Sequence, residues 1–116
     1  MFGINSKDGY TEVLPGIQIK TVCYGENSLM TEFLLSKNSK LTEHSHIQEQ
    51  TGYLVSGKIK LFIHNIPRIL NAGDSWNISS NVIHKAEIVE DSVAIEIFIP
   101  CREEYKKFIF TEDIVE

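Results

Sequence analysis

His44, His46 and Gln50 fall within seven residues of one another, and His84 stands in a second segment flanked by turn residues. Side chains on a β-strand alternate faces, so His44 and His46 are expected to point the same way, roughly 6.5–7 Å apart. Two such imidazoles can converge on one ion, with nitrogens about 2.0–2.2 Å from it. They cannot complete a site alone, and Gln50 and His84 are the available third and fourth donors. All four are uncharged ligands at neutral pH. A divalent ion among them keeps its full 2+ charge, acts as a strong Lewis acid and attracts anions in a dry pocket. Glu49 is the competing donor, out of phase with Gln50 if a strand has resumed there. Imidazole suits several metals, so zinc, nickel, iron, manganese, cobalt and copper all stay open. A His-x-His pair on its own also suits an ordinary solvated strand.

The elements that must position these residues read as all-β. Residues 17–24 alternate imperfectly and end at the turn Gly25-Glu-Asn-Ser28, and 29–35 form a second strand before the polar stretch 36–40. Residues 51–55 lead into Gly57, after which Ile59, Leu61 and Ile63 share one face of a clear alternation. Strands over 66–70, 76–78, 82–89 and 92–99 follow, with turns at Asn71-Ala-Gly-Asp74 and Glu90-Asp91. Turn signals every 8–12 residues or so predict a sandwich or barrel. Only 102–108 reads as helical, with Tyr105 and Phe108 on the face that docks. Strand 92–99 is ambiguous in phase. Its β-branched residues Val93, Ile95, Ile97 and Ile99 share one face, and Ala94, Glu96 and Phe98 share the other. Periodicity alone puts the β-branched face in the core and Glu96 in solvent.

Length and charge narrow the class. A chain of 116 residues can bury about two-thirds of its unfolded surface, which predicts a single domain over 1–116. The formal charge of −5, with both signs mixed, argues against nucleic acid as the main partner. No apolar run approaches the roughly 20 residues of a membrane span. The first eight residues lack the apolar stretch of a signal peptide, so a cytoplasmic protein is expected. Cys23 and Cys101 lie outside the histidine cluster and are expected to be reduced thiols. His64, beside Asn65, reads as a solvent-facing hairpin residue rather than a further ligand. Trp76 and Tyr53 are amphipathic aromatics that suit either a lumen or simple packing.

Two stretches carry a family resemblance. The run His44-Ser-His46-Ile-Gln-Glu-Gln50-Thr-Gly-Tyr-Leu-Val-Ser-Gly57 resembles the first cupin motif. The run from Gly73-Asp74 to His84 resembles the second, and together they cover roughly residues 29–105. The glycine before the first histidines is Asn38 here, and the proline and glycine of the second motif are Ser79 and Asn81. Asparagine tolerates left-handed turn positions, so those turns survive. The resemblance implies a double-stranded β-helix, a jelly roll with a metal in its lumen and a short C-terminal helical turn. It also implies Glu96 and Phe98 facing that lumen, and a homodimer, for which the surplus apolar face of 92–99 supplies a surface.

The finer pattern resembles the pectin-degradation cupins, in which His-Ser-His-x-x-Glu-Gln-x-Gly-Tyr is followed by acidic-x-Phe-x-Pro-x-Arg. Here the late segment is Glu96-Ile-Phe98-Ile-Pro100-Cys-Arg102, with glutamate in place of the usual aspartate. That family opens the ring of 4,5-unsaturated uronates. Carried over, Glu96 moves a proton, Phe98 shapes the pocket and Arg102 binds the substrate carboxylate, a task that suits its bidentate fork. The implied function is a metal-dependent lyase or isomerase acting on a small, anionic sugar acid. A cupin-type oxygenase and a non-catalytic ligand-binding module are the alternatives.

Overall fold

Strand-forming segments between the turns pair into one antiparallel network in the computed structural model, which describes residues 1–110. The strands are β1 (Thr11–Leu14), β2 (Ile17–Tyr24), β3 (Leu29–Leu35), β4 (Lys40–His44), β5 (Glu49–Ile63), β6 (Ile66–Asn71), β7 (Ser75–Ile78) and β8 (His84–Ile99). A 3-10 helix, Glu103–Phe108, closes the described chain.

Two long strands organise everything else. β8 pairs with β3 through its second half, from Leu35↔Ser92 to Leu29↔Phe98, and with β4 through its first half, where His44 lies opposite His84. β5 runs beside β8 along both halves, from Glu49↔Ile99 to Ile63↔His84. β7 then flanks the first half of β5 and β6 the second. The result is two sheets, β1-β2-β3-β8-β5-β7 and β4-β8-β5-β6, that share β5 and β8. This is the double-stranded β-helix, with the helical turn at its end.

The break at Gly57 and the Glu90-Asp91 turn read from the sequence are therefore not chain reversals. Residues 51–55 and 58–63 belong to one fifteen-residue strand, and 82–89 and 92–99 to one strand of sixteen that begins at His84. The register of β5 against β8 shifts around Ser56 and Lys58, with Gly57 at φ +94° between them. A bulge of this kind bends a strand and lets it pass from one sheet to the other. Gly57 has no room for a side chain, since a Cβ would sit 2.1 Å from Ser92 Oγ. The glycine thus marks a corner. At Asn38 (φ 71°) and Asn81 (φ 66°) asparagine does occupy the left-handed conformation.

The core lies between the sheets. Ile17, Ile19, Phe33, Leu35, Leu54, Ile59, Leu61, Trp76 and Ile78 fill it. In the second half of β8 the inward residues are Ser92, Ala94, Glu96 and Phe98, all buried, while Val93, Ile95 and Ile97 are half-buried on the outside and Ile99 is exposed. The bare periodicity of this strand points the wrong way, and the phase implied by the family resemblance is the one observed. Two of the four inward side chains, Ser92 and Ala94, are small, which helps to leave a lumen. Trp76 reaches into it over Gly52, where a Cβ would lie 2.2 Å from the indole. Tyr53 faces outward. Cys23 and Cys101 are free thiols. Among the described residues no helix is long and apolar enough to cross a membrane.

Candidate metal centre

His44 ends β4, His84 begins β8, and the two are partners in register. Their ring centroids are 4.1 Å apart, with His46 at 5.0 Å from His84 and 5.8 Å from His44. His46 arrives by a different route from the one expected. Regular strand stops at His44, and His46 sits in the connection between β4 and β5, so strand alternation does not bring it in. One ligand atom from each of the three histidines lies within 4.8 Å of the others.

Backbone carbonyls prepare each ring. His44 Nδ1 lies 2.7 Å from the Thr42 carbonyl, His46 Nδ1 3.0 Å from that of Gln48, and His84 Nδ1 2.9 Å from that of Val82. A carbonyl only accepts, so Nδ1 carries the proton in each case and Nε2 keeps its lone pair. Such carbonyl-anchored rings are what a metal site uses to fix tautomer and orientation. Burial lowers the pKa of His46 and brings that of His84 down to about 4, so both rings are neutral at physiological pH.

Two further observations fit a cation. His84 Nε2 is buried without a hydrogen-bond partner, a costly state for a polar atom unless something binds it. Gln50, the second residue of β5, is buried and donates from Nε2 to Glu96 Oε2 at 2.7 Å. That bond turns its Oε1 towards His46 Nε2, 3.0 Å away. With His46 protonated at Nδ1, two lone pairs face each other there, an arrangement that a shared positive ion satisfies. The competing donor Glu49 points outward and accepts a bond from Asn77 Nδ2 at 2.9 Å.

Glu96 and Arg102 reach the same lumen, a cavity of about 310 Å³ also lined by His44, Gln50, His84 and Phe98. Burial pushes the Glu96 carboxyl up to about 8, with the Gln50 amide and the Trp76 indole acting against the rise. Phe98, 1% exposed, packs edge-on against His46 at 5.7 Å. The Arg102 guanidinium stands over the rings of Phe98 (5.2 Å) and Tyr105 (4.2 Å). Its side chain is 14% exposed, and its ion pair is with Glu104, 3.3 Å from Nε and 59% exposed. It makes no side-chain cap to the 3-10 helix it precedes.

Sequence reasoning missed some lumen residues. Tyr105 reads as a docking residue from its spacing to Phe108, yet its ring also lines the cavity. Val13 and Leu14 line it from β1, a strand whose four residues are all exposed and which lacks a clear strand pattern. His64 is exposed, at φ 52° in the β5–β6 hairpin.

A jelly roll with three histidines converging at one end of its lumen defines a class, and the family comparison agrees. Residues 31–100 match the cupin domain model, and the chain belongs to the cupin family. Among solved structures it is similar to KdgF from Halomonas sp., with 29% identity over 90% of this chain and 98% of that one, at a TM-score of 0.85. An RmlC-like cupin from Shewanella frigidimarina shares the fold at 21% identity, covering 90% and 94% of the two chains, also at 0.85. No curated protein matches the chain by sequence.

Proposed function

We propose that the protein is a metal-dependent lyase or isomerase that opens the ring of a small sugar acid such as a 4,5-unsaturated uronate. The observation that carries this reading is a nearly buried guanidinium sharing one small cavity with a convergent histidine cluster. Among the described residues the one carboxylate paired with the Arg102 head group is that of the exposed Glu104, so charge remains available to an anionic ligand. At about 310 Å³ the cavity is near the lower end of the roughly 300–1,000 Å³ typical of small-molecule sites. That volume suits a single sugar ring. The likeness to KdgF and the acidic-x-Phe-x-Pro-x-Arg segment support the same substrate class.

In this reading His44, His46, Gln50 and His84 hold one divalent ion, whose contribution is to polarise a substrate oxygen as a Lewis acid. Arg102 grips the carboxylate and fixes the orientation of the ring. Phe98 forms the wall beneath the guanidinium and beside His46. Glu96 moves a proton during ring opening or tautomerisation, with Gln50 holding its carboxyl by the 2.7 Å bond. The active unit is a homodimer packed through the outer face of β8, and the free thiols suit a reducing cytoplasm.

The test is direct. Metal-loaded protein should consume 4,5-unsaturated galacturonate, read by loss of the ring alkene absorbance, and chelator-stripped protein should not. Loss no faster than in buffer would refute the assignment.

A further inference from the structure

Arg102 has a long, flexible side chain whose immobilisation costs up to about 2 kcal/mol of rotamer entropy. Something must offset that cost if the group is to wait in the lumen with its donors free. Glu104 does little, because an ion pair with a 59% exposed partner is well screened. The closer contact is the Tyr105 ring, 4.2 Å from the guanidinium carbon, against 5.2 Å for Phe98. An aromatic face attracts a guanidinium without occupying its hydrogen-bonding edge, whereas a buried carboxylate partner would consume it.

Tyr105 is itself fixed. Its carbonyl accepts a 2.6 Å bond from Thr21 Oγ1, and Thr21 is completely buried in β2. The Thr21 carbonyl accepts from Phe110 N at 3.1 Å, so Thr21 ties both the middle of the 3-10 helix and the chain just beyond it to the sheet. The ring meets Phe98 edge-on at 5.4 Å, and the Tyr105 amide donates to the Arg102 carbonyl at 2.9 Å.

We propose that Tyr105, anchored through Thr21, is a positioning residue that holds the Arg102 guanidinium over the lumen with its free edge turned to a ligand carboxylate. The inference rests on the reading of Arg102 as carboxylate site. It assigns Tyr105 no contact with the reacting atoms.

Three variants of the metal-loaded protein test it on unsaturated galacturonate. Tyr105→Leu should raise KM about tenfold while kcat stays within about twofold, because anchoring is lost in ground and transition states alike. Tyr105→Phe keeps the aromatic face and loses only the hydroxyl that also bonds Arg102, so its KM should rise by a much smaller factor than in Tyr105→Leu. Thr21→Val should raise KM by a smaller factor. Metal stoichiometry should not change in any of them. A wild-type KM in Tyr105→Leu overturns the proposal, as does an equal defect in Tyr105→Phe. Should the wild-type protein leave the uronate untouched, the substrate reading fails by itself. Modification of Arg102 by phenylglyoxal, located by peptide mass, then decides the positioning claim. Reaction about tenfold faster in Tyr105→Leu than in Tyr105→Phe supports it, and equal rates overturn it.

Discussion

The two faces of the second half of β8 answer to different demands. Inward stand Ser92, Ala94, Glu96 and Phe98, a set of two small residues, an ionisable one and a single large ring. Outward stand Val93, Ile95, Ile97 and Ile99, which look more like a core than the core side does. The outward side continues into β5, where Tyr53 and Val55 are 50% and 48% exposed. The inward face gives up apolar burial to make room for a ligand and to carry Glu96 at 8% exposure. The outward face keeps the apolar surface that the inward one lacks. A strand of this kind teaches that hydrophobicity marks the core only where the interior is full.

The contrast can be broken from the inside first. Replacing His84 with alanine removes the donor whose Nε2 is buried and unpartnered, and stoichiometric metal should vanish with it. Thermal stability should fall as well, since a metal that binds only the native state adds stability by linkage. Elemental analysis of tag-free protein measures the first effect, and full occupancy in the variant would disprove the ligand assignment. Next in size is Glu96→Gln, which keeps the shape of the inward face and deletes the carboxyl proposed to carry a proton. Its kcat should drop by about two orders of magnitude with metal still bound; an unchanged kcat would assign the proton transfer elsewhere.

Smaller effects follow at the rim and on the outside. Arg102→Lys should raise KM about tenfold and lower kcat less, because a lysine cannot reproduce the planar fork. Steady-state kinetics with kcat as the more damaged term would remove Arg102 from a simple anchoring role. Ile97→Lys places a charge on the outward face alone. Light scattering should show the wild type at about twice the 13.2 kDa of one chain and the variant at one chain mass, with metal content unchanged. A wild type that is already monomeric at micromolar concentration would end the dimer reading.

How much of this was legible beforehand varies with the physics involved. The histidine cluster was readable because His44, His46 and His84 are rare residue types at motif spacing, even though regular strand ends before His46. Asn38 and Asn81 were readable as left-handed turns because few other side chains tolerate that conformation. The continuity of β5 and β8 was not, since Gly57 and Glu90-Asp91 signal a bend equally well whether the chain reverses or crosses between sheets. Alternation read the direction of Glu96 wrongly, because the β-branched residues of that strand lie on its outer face, and only the family resemblance gave the observed phase. Tyr105 was half legible: its spacing to Phe108 announced docking, while the Arg102 contact depends on a fold-back onto β2 that no local pattern encodes.

The bulge at Gly57 sets what lengths the chain can tolerate. Before it the inward residues of β5 carry even numbers, Gln50, Gly52 and Leu54; after it they carry odd ones, Ile59 and Leu61. Along β8 the inward buried residues stay even from His84 to Phe98. Deleting one residue at the bulge would bring Ile59 and Leu61 into step with Gln50, Gly52 and Leu54, so simple alternation would keep them in the core without the bulge. Adding one residue to β8 between Ile88 and Ser92 would leave His84 in place and rotate Glu96 away from it. Single insertions and deletions are thus admissible at the His64–Asn65 hairpin tip, whereas in β8 between Ile88 and Ser92 length changes only in steps of two keep Glu96 on the same face as His84.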